Sequence, residues 1–150
     1  MAQENSILIR RWFDEVWNSG RMEAIDEMAS PNAVGHGQAQ HDIDIGLEQF
    51  RVFASGLRSA FPDIQVTIDY VLEQDDKVVA RWTATMTHKG EFLGIAPTGK
   101  KATVTGTTTQ RIIGGKIVEG WDNWDQLGLL VQIGAVPAKH FVAPMERRSA

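Results

Sequence analysis

Asp122 is the side chain whose position is hardest to explain as structure alone. It belongs to the alternating run Val118, Gly120, Asp122, Trp124, which a strand would turn to one face. An ionised carboxylate on an inward face is costly unless paired or hydrogen-bonded. Desolvation raises a carboxylate from about 3.9, by up to several units. A general base works best near the operating pH, and a carboxylate among rings reaches that range. Two roles are open to it: a general base in a ring-lined pocket, or an acceptor for backbone N–H groups at the strand end. Asp125 fits the second, helix-capping role better. His88 closes the strand that carries Trp82 and Met86, on the apolar face by the same alternation. It either hydrogen-bonds a substrate carbonyl or carboxylate, or sits satisfied at a strand end. His36 stands between Gly35 and Gly37, in a loop from which it would reach a pocket mouth. His41, beside Asp42, reads as solvated, and His140 lies in the tail.

Other chemistries find less support. With no cysteine, thiolate nucleophiles, disulfides and zinc–cysteine sites are excluded. His36, His41 and His88 lack the short spacing of a zinc helix, so no metal is expected. Gly90-Glu91-Phe92-Leu93-Gly94 and Gly99-Lys100-Lys101 are not phosphate loops, and no G-x-S-x-G run occurs.

The elements that must position these groups fall into two halves. Ile9, Phe13, Val16 and Trp17 follow helical spacing, with Asn5 or Ser6 as cap and Asn18-Ser19-Gly20 as stop. A second helix runs over Met22–Met28. Asn32 to Gly46 reads as a loop. Leu47, Phe50, Ala54 and Leu57 define a third helix, ended by Phe61-Pro62-Asp63. The period then becomes two. Ile64, Val66, Ile68 and Tyr70 share a face; so do Val78, Ala80, Trp82, Ala84 and Met86, and then Val104, Gly106, Thr108 and Gln110. Gly114-Gly115 is a hairpin turn signal. Gln126 to Ile133 reads as a short terminal helix. Helices first and strands after favour an α+β class with an antiparallel sheet. The outward face is threonine-rich and carries Trp121, which points to a homodimer.

The chain has 150 residues, enough for one domain, 1–150, with its core over about 7–134 and a frayed tail over 135–150. A net charge of −4 argues against nucleic acid as a partner. No apolar run spans a membrane and the N-terminus lacks the order of a secretory signal, so a cytoplasmic protein is expected.

Longer runs carry a resemblance. Thr87-His88-Lys89-Gly90-Glu91-Phe92-Leu93-Gly94-Ile95-Ala96-Pro97-Thr98-Gly99-Lys100 and Gln110-Arg111-Ile112-Ile113-Gly114-Gly115-Lys116-Ile117-Val118-Glu119-Gly120-Trp121-Asp122 resemble the SnoaL-like polyketide cyclases, or ester cyclases, of the nuclear transport factor 2-like superfamily. Phe13-Asp14-Glu15-Val16-Trp17-Asn18-Ser19-Gly20, Ala60-Phe61-Pro62-Asp63 and Asp125-Gln126-Leu127-Gly128 fit as well. The resemblance implies a cone-shaped α+β barrel, with the N-terminal helices packed on a curved antiparallel sheet, and a dimer. It implies cofactor-independent aldol ring closure of an apolar or aromatic carbonyl compound. Asp122 matches the family's general acid/base on the last strand, and His88 matches a histidine of its loop. The expected site is therefore Asp122 and His88 as catalytic residues. Phe13, Trp17, His36, Trp82, Thr108 and Trp124 are expected to bind the substrate. Where those cyclases carry polar pocket residues, this chain has Gly106, Thr108 and Gly120, which suggests room for a different or bulkier ligand. An isomerase, dehydratase or hydrolase on the same scaffold is the alternative enzyme. A non-catalytic binding module would instead pair Asp122 with Arg81 or Arg111, which alternation places on the opposite face.

Overall fold

The computed structural model describes residues 2–38, 43–137 and 148. His41, His140 and almost all of the tail after Pro137 lie outside the described residues. The chain opens with α1, Ala2–Trp12, which runs directly into a π-helical segment, Phe13–Asn18. Ile9, Trp12, Phe13 and Val16 form one buried stripe across both segments. Ser6 lies inside α1, not at its cap, and its amide and hydroxyl both donate to Glu73, at 2.9 and 2.6 Å. Asn18 ends the helical stretch and fixes it to the sheet: its side chain accepts from Val66 N at 2.7 Å and donates to Val66 O at 3.0 Å. Next come α2, Glu23–Met28, and α3, Leu47–Ala60, with Phe50, Ala54 and Leu57 buried.

The segment expected as a loop, 32–46, takes part in two strands. β1 covers Ala29–His36 and the short β2 covers Asp44–Ile45. Pro31 and Gly35 weaken the strand signal in sequence. The chain absorbs Pro31 within an irregular stretch of the β1 pairing, between Ala29 and Val34. Four long strands follow: β3, Gln65–Gln74; β4, Lys77–Thr87; β5, Lys101–Ile113; and β6, Lys116–Trp124. Helix α4, Gln126–Gln132, closes the described fold, and Asp125 caps it by accepting from Gly128 N at 2.8 Å.

The strands form one sheet in the order β2-β1-β6-β5-β4-β3. This corrects the expected barrel. The sheet is open, with β2 and β3 as free edges, and it is mixed, because β1 runs parallel to β6. The parallel pair arises because β1 enters from the helical half and the long central hairpins separate it from β6 in sequence. Alternation also fails at one place in β3. The register shifts between Ile68 and Tyr70, so Tyr70 turns outward and Val71 takes the position opposite buried Ala80. Elsewhere Val78, Ala80, Ala84, Met86, Ala102, Val104 and Ile112 face the helices as the period of two predicts. Among the described residues no helix is long and apolar enough to cross a membrane.

Candidate active site

The helix-facing side of β4, β5 and β6 brings three positions into line. Thr108 on β5 lies between Ala80 on β4 and Asp122 on β6, and Gly106 lies between Trp82 and Trp124. The glycine has a local reason. Trp82 lays its indole across β5 at Gly106, and a Cβ there would collide with the ring. The space read in sequence as room for a ligand is filled by this indole. In that pose Trp82 Nε1 donates to Thr108 Oγ1 at 3.0 Å, and the Thr108 hydroxyl donates to Asp122 Oδ1. A single hydroxyl thus connects an indole N–H to the carboxylate and holds its rotamer.

The fourth side comes from the segment after β1. Gly37 adopts a φ of +77° and passes so close to the Asp122 carbonyl that any side chain would clash. That turn carries Gln38 inward. Its carbonyl accepts from Trp124 Nε1 at 3.2 Å, and its side-chain amide faces the Asp122 carboxylate as a donor. Gln38 also lies 3.6 Å from where a Cβ of Gly120 would be, so this second small residue is covered by protein as well.

Asp122 lies among the rings and aliphatic side chains of a chamber lined by Phe13, Trp17, Phe53, Leu57, Trp82 and Trp124. Desolvation pushes its pKa up to about 6, against the opposing hydrogen bonds from Thr108 and Gln38. Among the described residues no cation offsets this. Arg81 and Arg111 sit on the other face of the sheet, Arg81 beside Asp69 at 4.0 Å and Arg111 on Glu119 at 3.2 Å. A carboxylate so placed can take a proton from a carbon acid at neutral pH and return it to an oxyanion.

Phe13, Trp17, Trp82, Thr108 and Trp124 therefore line one chamber with Asp122. The two histidines do not join it. His88 is fully buried beyond the end of β4, against Phe61, with ring centroids 5.4 Å apart. Its Nδ1 accepts from Thr98 N at 3.2 Å and lies 3.0 Å from Thr98 Oγ1. Through these contacts it ties down the loop between β4 and β5 from the strand end, while its Nε2 is buried without a hydrogen-bond partner. His36 pairs with Trp121 in the β1–β6 register and stacks on that ring at 5.3 Å, on the face opposite Asp122. Its two ring nitrogens meet Asp44 at 2.6 Å and Glu119 at 2.8 Å. These carboxylates, Asp44 foremost, hold its pKa above the ordinary histidine value. Among the described residues no three acidic or histidine side chains converge as a metal site requires.

Gln38 and Gln110 are absent from the site expected on sequence. Gln110 carried a usable signal, a polar amide on the inward face of β5, the same signal that marks Asp122. Gln38 carried little: its depth depends on the Gly37 turn.

A mixed sheet backed by helices, with one uncompensated carboxylate facing an aromatic chamber, defines a small-molecule pocket suited to acid/base work. A family model for SnoaL-like polyketide cyclases matches residues 7–133, and the chain belongs to that family, within the nuclear transport factor 2-like superfamily. Nogalonic acid methyl ester cyclase from Streptomyces nogalater is 25% identical over 119 residues, covering 79% of this chain and 89% of the relative. Among solved structures, AclR, a proposed hydroxylase from Streptomyces galilaeus, superposes with a TM-score of 0.82 at 30% identity, covering 91% of this chain and 85% of that one. IdmH, a proposed polyketide cyclase from Streptomyces antibioticus, gives 0.75 at 31% identity, covering 86% and 97%.

Proposed function

We propose that this chain is an acid/base enzyme that closes a ring in an apolar, polyketide-type carbonyl compound by intramolecular aldol addition, with Asp122 as the proton carrier. The observation that supports this reading is the desolvated carboxylate of Asp122, held by Thr108 and Gln38 in an aromatic chamber with no cation beside it among the described residues. The ionised carboxylate takes a proton from a carbon flanked by carbonyl groups. The C–H electron pair becomes an enolate. The enolate carbon attacks a second carbonyl carbon of the same molecule, forming a C–C bond and turning that C=O into an alkoxide. The alkoxide takes the proton back from neutral Asp122. Atoms and electrons balance without a cofactor, and the product is an isomer of the substrate. The rings of Phe13, Trp17, Trp82 and Trp124 exclude water and hold the substrate flat for the attack.

The test is turnover of nogalonic acid methyl ester, the compound in the relative's name, followed by absorbance and product mass. Asp122→Asn is expected to lower kcat by about 10²–10⁴, with KM little changed. Undiminished turnover by the variant refutes the role of Asp122. A product heavier by one oxygen atom favours hydroxylation, as the name of AclR suggests, over ring closure. The threonine-rich outer face with Trp121 supports a homodimer, which a monomer mass in sedimentation at micromolar concentration would overturn.

A further inference from the structure

A second cavity abuts Asp122 from the side away from the aromatic chamber. The two share Gln38, Thr108 and Asp122 as a common wall. The second one runs under Trp12 and Phe50 and along Gly35, Gln110 and Gly120. Two of its lining side chains are glutamines more than nine-tenths buried, Gln38 at 6% and Gln110 at 2% exposure. The Oε1 atom of each has no hydrogen-bond partner. For Gln38 the amide orientation is fixed by its neighbour, because a carboxylate only accepts, so its nitrogen faces Asp122 and its oxygen turns away. That oxygen lies against Gly35, itself part of the second cavity, where any side chain on Gly35 would displace it. Gln110 stands opposite Gly120 in the β5–β6 ladder, and both line this cavity. Two orphaned acceptors around one cavity are a standing cost to the fold unless something brings donors to them.

The geometry points to a subsite in this second cavity for a hydroxyl group of the ligand, which donates its one proton to Gln110 Oε1, on the opposite side of Asp122 from the aromatic chamber. This rests on the reading of Asp122 as the centre of the ligand site. It narrows the substrate class: the molecule spans the carboxylate, with an apolar ring system on one side and an enol or phenol hydroxyl on the other. An apolar group in the hydroxyl's place leaves Gln110 Oε1 unpaired, so discrimination arises from the site's own unmet acceptor.

The experiment uses phenol and toluene, which differ by hydroxyl against methyl, titrated into the full chain by ligand-observed NMR. Wild type is expected to bind phenol about tenfold more tightly, one buried hydrogen bond's worth. Gln110→Leu is expected to remove that preference while toluene affinity holds or rises. Because Leu replaces an amide whose buried oxygen has no partner, at similar volume, its Tm should equal or exceed that of wild type. Gln110→Met provides the same test should Leu fold poorly. Equal preference in wild type and variants, or no preference in wild type, overturns the subsite. Asp122→Asn is titrated in parallel. If it alone abolishes the preference, the hydroxyl binds Asp122, and the subsite fails while the acid/base reading stands. If Gln110→Leu removes the preference and Asp122→Asn keeps full turnover, the subsite stands and the acid/base reading fails.

Discussion

Replacing Asp122 by Asn should stabilise the protein, and by an amount that grows with pH. The folded-state pKa is raised from 3.8 to about 6, with desolvation as the main cause. Below the unfolded value the group is protonated in both states and costs nothing. Between the two values the folded state holds a proton that the unfolded state has released. Above about 6 the group is ionised in both, and the folded state carries the full desolvation penalty. A shift of about two units corresponds to a ceiling of about 3 kcal/mol. Asn keeps an oxygen to accept from Thr108 and carries no charge, so it escapes the penalty. The assay is urea unfolding of both proteins from about pH 4 to about pH 7.5, with the difference in stability plotted against pH. His36, Glu119, Asp63 and Glu15 also have shifted pKa values, but they are present in both proteins and cancel in the difference. The curve should rise through about pH 4–6 and then flatten. For a chain of this length the plateau corresponds to a Tm gain of about 6–12 °C. A flat difference across the whole range would refute the claim that the carboxylate is desolvated. A difference that falls with rising pH would mean that the ionised form is stabilised by a partner.

Thr108→Val removes the donor to Asp122 and leaves Trp82 Nε1 without its acceptor. The acid limb of the pH–rate profile should move upward, because that hydrogen bond holds the Asp122 pKa down, and stability should fall by about 1–3 kcal/mol, read by urea unfolding. His36→Phe should leave kcat and KM unchanged, since His36 lies on the far face of the sheet. Its stability cost should be largest below the ordinary histidine pKa of about 6.5 and should fade as pH rises through the raised folded value, because His36 stabilises only while protonated between Asp44 and Glu119. Gly106→Val should destabilise by about 1–3 kcal/mol through overpacking against the Trp82 indole, with a matching change in Trp fluorescence.

How much of this was legible in sequence differs by element. β4, β5 and α3 follow their hydrophobic periods, because each buries one continuous face, and β6 does so from Gly120 onward, after a bulge that turns Ile117 inward in place of Val118; that placed Asp122, Thr108, Trp82 and Trp124 on a common side. β1 was not legible. Its buried positions are the small Ala29 and Ala33, it contains a proline, and its partner β6 is remote in sequence. With β1 went His36, whose face is set by pairing with Trp121 and not by its flanking glycines. The same parallel pairing, together with the short edge strand β2, is why the sheet is open and mixed where a closed antiparallel barrel was expected. Tyr70 was misplaced by a bulge, which no local pattern marks.

The glycines show the same limit in sharper form. Read along the chain, Gly106 and Gly120 are deletions of polar pocket side chains, and the pocket should be larger for it. In the fold, each gap is covered by a side chain from elsewhere: the Trp82 indole from β4 and the Gln38 amide from beyond β1. Both covering groups act on the same carboxylate, Trp82 through Thr108 and Gln38 directly. The small residues and their replacements therefore form one arrangement, in which Asp122 is surrounded by neutral donors and rings rather than by other titratable groups. Such a surround raises the carboxylate's pKa by desolvation and leaves it the only ionisable group lining the aromatic chamber among the described residues. A carboxylate of that kind titrates as a single site, so the pH–rate profile should carry one acid limb near 6 and no second limb from a partnering histidine. Two coupled limbs would place a titrating partner beside Asp122 and undo this account of how the site was rebuilt.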